Sequence, residues 1–194
     1  MRGVEQIPWL YDLSMALMPG MQRWRRSLAA LARGRVLEVG CGTGRMLPLY
    51  PDPVAVFALD PNRAALDRAR RRSPEAGLMV GSAEHLPFPN ASFDSVVSGL
   101  VFCSVPDPAR GLAEIHRVLK PDGRLLMLEH VHARNRVGRW LLDTLQPPWT
   151  LITGGCHPNR DTEKIVENAG FCIERDHYRS QGVMRHFVAR KDLG

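Results

Sequence analysis

The apolar positions of this chain change period as it proceeds, and each period predicts an element. Between Leu10 and Leu31 they recur every three or four residues (Leu10, Leu13, Leu17, Met21, Trp24, Leu28, Leu31), one stripe along a helix. Pro19-Gly20 should divide that stripe into two helices. Short segments at 36–39, 54–59, 78–80, 92–98 and 125–131, most of them largely apolar and bounded by turn residues, read as strands. Helical segments separate them. Residues 45–50 can open a helix, 62–72 form one that ends before Ser73-Pro74, and 109–119 carry Leu112, Ile115 and Leu119 on one face. This alternation predicts an α/β chain with a mostly parallel sheet. The last third changes character. Residues 135–145 read as a helix interrupted by Gln146-Pro147-Pro148-Trp149, 154–162 as a polar loop and 162–168 as a helix stopped by Gly170. Residues 171–174 and 183–188 then read as two antiparallel strands joined through Gln181-Gly182.

The first strand runs directly into Gly40-Cys41-Gly42-Thr43-Gly44. Glycines at alternate positions after a strand suit a tight turn against which a ligand can lie, with backbone N–H groups presented to it. The spacing is that of neither a P-loop nor the G-x-G-x-x-G fingerprint. The second strand ends in Asp60, twenty positions beyond Gly40. In nucleotide-binding α/β folds an acidic residue there holds ribose hydroxyls. Asp60 can also cap the helix that follows Pro61.

Three further stretches agree. Glu38-x-Gly40-x-Gly42-x-Gly44 resembles the E/D-x-G-x-G-x-G signature of class I S-adenosylmethionine-dependent methyltransferases. Gly81-Ser82-Ala83-Glu84-His85-Leu86-Pro87-Phe88 resembles the G-D-A-E-x-L-P-F segment of the Methyltransferase 11 type, with Ser where that type commonly has Asp. Residues 114–123 are similar to its E-x-x-R-V-L-K-P-G-G. The resemblance covers residues 36–130 and implies S-adenosylmethionine as cofactor. It places Gly40, Cys41, Gly42 and Gly44 around the amino-acid end of the cofactor and Glu38 near its methionine moiety. It sets Asp60 and Pro61 at the ribose, Ser82, Ala83 and Glu84 at the adenine side, and Leu100 behind the cofactor. It also implies a Rossmann-like seven-stranded sheet, the last strand antiparallel, with helices on both faces and an N-terminal helical cap. The whole chain is then one domain: cap at 1–33, cofactor half at 34–130, substrate side at 131–194. In related enzymes the cap closes over the cofactor, often with a Tyr-Asp pair like Tyr11-Asp12. The segment 100–105, Glu129-His130-Val131 and residues 159–162 look similar to microsomal thiol methyltransferases. The wider pattern resembles quinone C-methyltransferases and phospholipid N-methyltransferases.

Charge and composition narrow this reading. The net charge is +6, but the arginines are scattered, which argues against a nucleic-acid partner. The cluster Arg68 to Arg72 reads as the solvent face of a helix end. Cys41, Cys103, Cys156 and Cys172 are far apart with no C-x-x-C, so neither a metal site nor a disulfide framework is expected, and isolated thiols suit the cytoplasm. No stretch is long and apolar enough to span a membrane. Trp9 and Trp24 beside Arg23, Arg25 and Arg26 leave peripheral membrane contact through the N-terminal helices open; the oligomeric state is not legible. For the reaction itself, His130 and His157 are the candidate catalytic residues, with Arg160 and Asp161 beside them and Trp140, Leu141, Leu145 and Trp149 as an apolar wall. The expectation is methyl transfer to a small lipophilic acceptor: a thiol, a quinol or a phospholipid amine. A catalytically silent cofactor-binding module and a nicotinamide-dependent oxidoreductase are the competing readings.

Overall fold

The protein is described by a computed structural model covering residues 3, 7–18, 20–133 and 135–192. Pro19, the expected break, and part of the N-terminal cap lie outside the described residues. β1 (Arg35–Val39), β2 (Ala55–Asp60), β3 (Gly77–Val80), β4 (Phe93–Gly99) and β5 (Leu119–His130) are parallel, in the order β3-β2-β1-β4-β5. β6 (Phe171–Ile173) and β7 (Arg179–Gln181) both pair antiparallel with β8 (Met184–Lys191). β8 lies antiparallel against β5, so the expected reversal at the end of the chain is present. The short β7 brings the sheet to eight strands, one more than expected.

Strand alternation sends successive side chains to opposite faces. Leu37, Val39, Val96, Leu125, Met127 and Phe187 meet Leu112 and Ile115 of α4 (Pro108–Val118) and Val166 of α6 (Thr162–Asn168). Val36, Val97, Leu126, Leu128 and Val188 meet Met21, Leu28 and Ala29 of α2 (Met21–Ala29). On the same side Ala58 packs on Leu66 and Ala69 of α3 (Arg63–Arg72). Both faces are covered, which is why the central strands read as continuous apolar runs.

Two expectations are corrected. Residues 45–50 form no α-helix, only a 3₁₀ turn at Leu47–Leu49. Pro48, Pro51 and Pro53 remove the N–H groups that a helix there would need. Conversely, α5 (Arg136–Thr153) runs through Pro147 and Pro148 instead of breaking. Asp143 and Thr144, whose carbonyls lose their helical donors, are exposed, so water can take the donors' place. Of the residues of α5, only Thr153 is buried.

The N-terminal helix α1 (Pro8–Ala16) is latched by one residue, Asp12, which is buried despite its charge. Its Oδ1 accepts from Thr43 Oγ1 at 2.8 Å and from Arg45 at 3.0 Å. Its Oδ2 accepts from Arg68 Nε and Arg72 Nη2, both at 2.9 Å. Arg68 and Arg72 therefore turn inward, where a solvent-facing cluster was expected. Burial opposes the carboxylate's charge, but the arginine and threonine donors outweigh it and hold the carboxyl well below its ordinary range. A depressed carboxyl stabilises the fold above its unfolded value near pH ~4, and that contribution is lost as pH falls toward the folded value. Asp12→Asn should therefore lower stability at pH 7 by about 2 kcal/mol, or roughly 4–8 °C in Tm for a chain of this size. The gap between variant and wild type should narrow below pH ~4. Thermal melts across pH check this, and equal melting temperatures at pH 7 would rule the latch out.

Candidate active site

The carboxyl ends of β1, β2, β4 and β5 open onto a cavity of roughly 690 Å³. Open α/β sheets carry their ligands at such strand ends. Of the residues singled out from sequence, Glu38, Gly40, Cys41 and Gly42 line it from the first loop, and Asp60 and Pro61 from the second. Ser82, Ala83 and Glu84 line it from the third segment, Leu100 from the end of β4, and His130 from the end of β5. Gly44 does not reach it. A Cβ at Gly44 would stand 2.8 Å from the Ala69 Cα, and φ is +76°, so this glycine seats the loop on α3. His157 also lies off the cavity: its N–H donates to the Cys103 carbonyl at 2.8 Å, and its Nδ1 faces the Gly155 carbonyl at 2.7 Å.

The first loop is shaped from β2. The N–H groups of Gly40 and Cys41 both donate to the Leu59 carbonyl, at 2.8 and 3.0 Å. Asp60 Oδ2 accepts from Gly42 N–H at 2.8 Å, and Oδ1 accepts from Asn62 N–H at 2.8 Å. Burial raises the Asp60 carboxyl, and these two backbone donors oppose the rise. Asn62, not Asp60, caps α3, its side chain accepting from Ala64 and Ala65 N–H at 3.1 and 3.3 Å. A Cβ at Gly40 would collide with Val101 Cγ2 at 2.5 Å, so the two walls of the cavity meet only because this residue is glycine. A Cβ at Gly42 would meet no protein atom, and Gly42 faces the cavity.

Deeper in, Glu38 is 3% exposed. Burial pushes its carboxyl up to about 8, although the Tyr50 hydroxyl donates to it at 2.9 Å. Arg25 is also buried and lines the cavity with Tyr11 and Met15 of α1; its Nη2 donates to the Tyr11 hydroxyl at 2.9 Å. The sequence reading grouped Arg25 with Arg23 and Arg26 as an open possibility for membrane contact and missed this role. Its position on the inner side of α2, in line with the core residues Met21 and Leu28, was the signal available. A buried carboxyl, a buried guanidinium and a glycine turn suit a zwitterionic, cationic group such as the methionine end of S-adenosylmethionine. Asp60 suits its ribose.

Cys103, His130, Thr153 and Gly154 line the same cavity. Arg160 does not reach the cavity. Its Nη1 donates to the carbonyls of Phe102 and Val105, both at 2.6 Å, and so holds the turn after β4. Asp161 precedes α6 without capping it through its side chain. Trp140, Leu141, Leu145 and Trp149 do not form the expected wall: none of them lines the cavity, Trp140 is 67% exposed, and the Trp149 side chain reaches Cys156 instead.

Residues 37–127 match the family model described as a methyltransferase domain. The chain is 36% identical over 152 residues to the human thiol S-methyltransferase TMT1B, covering 72% of this chain and 62% of that protein. It is 38% identical over 128 residues to the phosphatidylethanolamine N-methyltransferase of Cereibacter sphaeroides, covering 62% of this chain and 63% of that one. The chain thus spans less than two thirds of the length of these curated relatives. A crystal structure from Thermotoga maritima, described as a SAM-dependent methyltransferase and possible histamine N-methyltransferase, superposes with a TM-score of 0.75 at 21% identity. It covers 96% of this chain and 97% of its own, a likeness of fold. Residues 37–127 therefore belong to the methyltransferase-domain family, and S-adenosylmethionine is the cofactor that this family and fold imply.

Proposed function

We propose that the chain transfers the methyl group of S-adenosylmethionine to a small lipophilic acceptor, a thiol foremost. The observation that carries this reading is that one cavity holds both a cradle suited to the cofactor and a second wall with Cys103 and His130. The cavity is also lined by α1 (Pro8, Tyr11, Met15) and by the end of α5 (Thr153, Gly154). The same two helices expose Trp9, Leu13, Val137, Trp140 and Leu151. Arg23, Arg26, Arg136 and Arg139 are exposed on the same helices or on the neighbouring α2. Exposed apolar side chains interleaved with basic ones suit contact with an anionic membrane surface, from which a lipophilic acceptor could enter. Among the described residues no helix is long and apolar enough to cross a membrane. The relatives named as thiol S- and phosphatidylethanolamine N-methyltransferases support a nucleophilic heteroatom as acceptor.

Bound in the cavity, S-adenosylmethionine supplies a methyl group already activated on a cationic sulfur. The chain's part is then alignment and exclusion of water. In our reading Asp60 accepts from the ribose hydroxyls, Ser82 and Ala83 face the adenine, and Arg25 and Glu38 hold the charged ends of the methionine moiety. His130 stands where it can take the acceptor's proton. A thiol asks little of it, because its unperturbed pKa near ~8.5 already leaves some thiolate at neutral pH.

Calorimetry tests the cradle. Asp60→Ala should weaken binding of S-adenosylmethionine and S-adenosylhomocysteine by ~10-fold or more, since unpaired ribose hydroxyls cost roughly 1–3 kcal/mol. Unchanged affinity in a folded variant would remove Asp60 from the ribose. Glu38 gives a second readout. Burial keeps it largely protonated at pH 7 in the free protein, and a cation beside it favours the carboxylate, so binding should release a proton. The heat of binding should then depend on the buffer's ionisation enthalpy, and Glu38→Gln should abolish that dependence. Identical heats in all buffers for the wild type would sink the role.

The acceptor is tested by following S-adenosylhomocysteine formation with alkyl thiols, demethylated quinols and phosphatidylethanolamine, with and without anionic liposomes. Turnover of a small lipophilic acceptor, thiols fastest, is the expected result. Turnover on RNA or protein alone would overturn the reading.

A further inference from the structure

Among the described residues, three side chains that ligate metals converge at one place: Cys103, His130 and Cys156. One ligand atom from each lies within 4.8 Å of the others. No metal site was expected from the sequence, because the residues sit on three different segments with no short spacing between them. The turn after β4 brings Cys103, the last residue of β5 is His130, and the loop after α5 brings Cys156. Both sulfurs belong to buried residues, while His130 is half-buried.

The backbone around the cluster is held firmly. The His157 N–H donates to the Cys103 carbonyl at 2.8 Å, which ties the two cysteine segments directly. Thr150 Oγ1 donates to the Cys156 carbonyl at 2.8 Å, and Cys156 N–H donates to Thr153 Oγ1 at 3.3 Å. Arg160 pins the carbonyls on either side of Cys103, those of Phe102 and Val105. These bonds fix the backbone from which Cys103 and Cys156 project.

Two thiolates and an imidazole form a soft-to-borderline donor set suited to zinc and its congeners. At a tetrahedral zinc with bonds of ~2.0–2.3 Å, neighbouring ligand atoms stand roughly 3.5–3.8 Å apart, and the present atoms lie within 4.8 Å of one another. Structural zinc sites use four protein ligands; three protein ligands with an open fourth position mark a catalytic one. Cys103 and His130 both line the cavity, so the open side of the cluster faces the acceptor region.

We propose that Cys103, His130 and Cys156 bind a thiophilic divalent cation, zinc by chemistry, with a fourth position open to the acceptor cavity. A thiol acceptor would occupy that position as a thiolate: its S–H bond breaks, the proton leaves to solvent, and the sulfur lone pair binds the ion. This use of the fourth position rests on the thiol reading above; the ion site rests on the three side chains alone. With the ion bound, His130 is a ligand, and the ion takes over the task of lowering the acceptor's pKa.

Cobalt(II) titrated into the reduced, full-length chain under anaerobic conditions tests the site without any assay of activity. Expected are a thiolate-to-cobalt charge-transfer band and tetrahedral ligand-field bands that saturate at one ion per chain and are displaced by zinc. Cys103→Ser, Cys156→Ser and His130→Gln should each weaken binding by more than the ~10–100-fold that loss of an outer partner costs. Cys172→Ser, whose residue is exposed and remote from the cluster, should bind as wild type does. No thiolate band in the reduced wild type, or an undiminished band in the Cys103→Ser/Cys156→Ser double variant, would overturn the site. Adding an alkyl thiol without S-adenosylmethionine should then shift the ligand-field bands, while the matching alcohol should not. An ion that binds but is blind to the thiol would overturn coordination of the acceptor, and the acceptor panel would still judge the thiol reading independently.

Discussion

Asp60 ends β2 with a carboxylate that is 9% exposed, and both its oxygens are already engaged by backbone N–H groups, those of Gly42 and Asn62. The rest of the cavity depends on this pair of bonds. One fixes the apex of the glycine loop and the other the entry to α3, so a single side chain sets the distance between two ligand-binding segments. Buried carboxylates are costly unless hydrogen-bonded. Here the donors are main-chain groups of fixed geometry, and no competing rotamer of a partner has to be ordered. The loop needs this external hold because alternating glycines have little conformational preference of their own. The Leu59 carbonyl adds a second hold by accepting from both Gly40 and Cys41.

Asp12 extends the same logic to the cap. Through Thr43 it touches the glycine loop, and through Arg68 and Arg72 it touches α3. Arg72 in turn donates to the Thr43 carbonyl at 2.6 Å. The position of α1, the shape of the loop and the seat of α3 are therefore one connected arrangement. A cationic cluster on α3 that would repel itself in isolation is neutralised in part by a carboxylate from another element. The same seating of α1 brings Tyr11 over Arg25, so the cap supplies part of the cavity wall.

Much of the frame was legible because burial on both faces leaves an unambiguous mark on strands. The central strands and the antiparallel close of the sheet follow from apolar runs and turn residues alone. The cradle was legible because its chemistry is local: a glycine loop and one acidic residue twenty positions on. What escaped depends on partners distant in sequence. Pro147-Pro148 signals a break, yet an exposed helix can leave the affected carbonyls to water. Arg25 and Arg68 look like surface charges until the carboxylates and hydroxyls that meet them are placed. Trp140 and Trp149 look like pocket residues because nothing in the periodicity says which side of α5 faces the protein. The meeting of Cys103 with Cys156 has no local signature at all, since more than fifty residues separate them.

The end of β5 shows how one strand serves architecture and site at once. Consecutive residues point to opposite faces. Glu129 turns to the α4 side and is fully buried, and its Oε1 accepts from Ser98 Oγ and from the N–H groups of Val101 and Phe102, at 3.0, 3.1 and 3.1 Å. Those bonds hold the turn after β4 in a shape that puts Leu100 at φ +62°, a left-handed conformation that costs a residue with a Cβ about 1–2 kcal/mol. The other oxygen, Oε2, is buried without a hydrogen-bond partner among the described residues, and burial raises the carboxyl above its ordinary value. The fold thus tolerates a strained leucine and an incompletely satisfied carboxyl in the same few residues. Such costs persist where they position something else. Here they set Leu100, Val101 and Cys103 in the lining of the cavity, which His130, the very next residue on β5, joins from the opposite face.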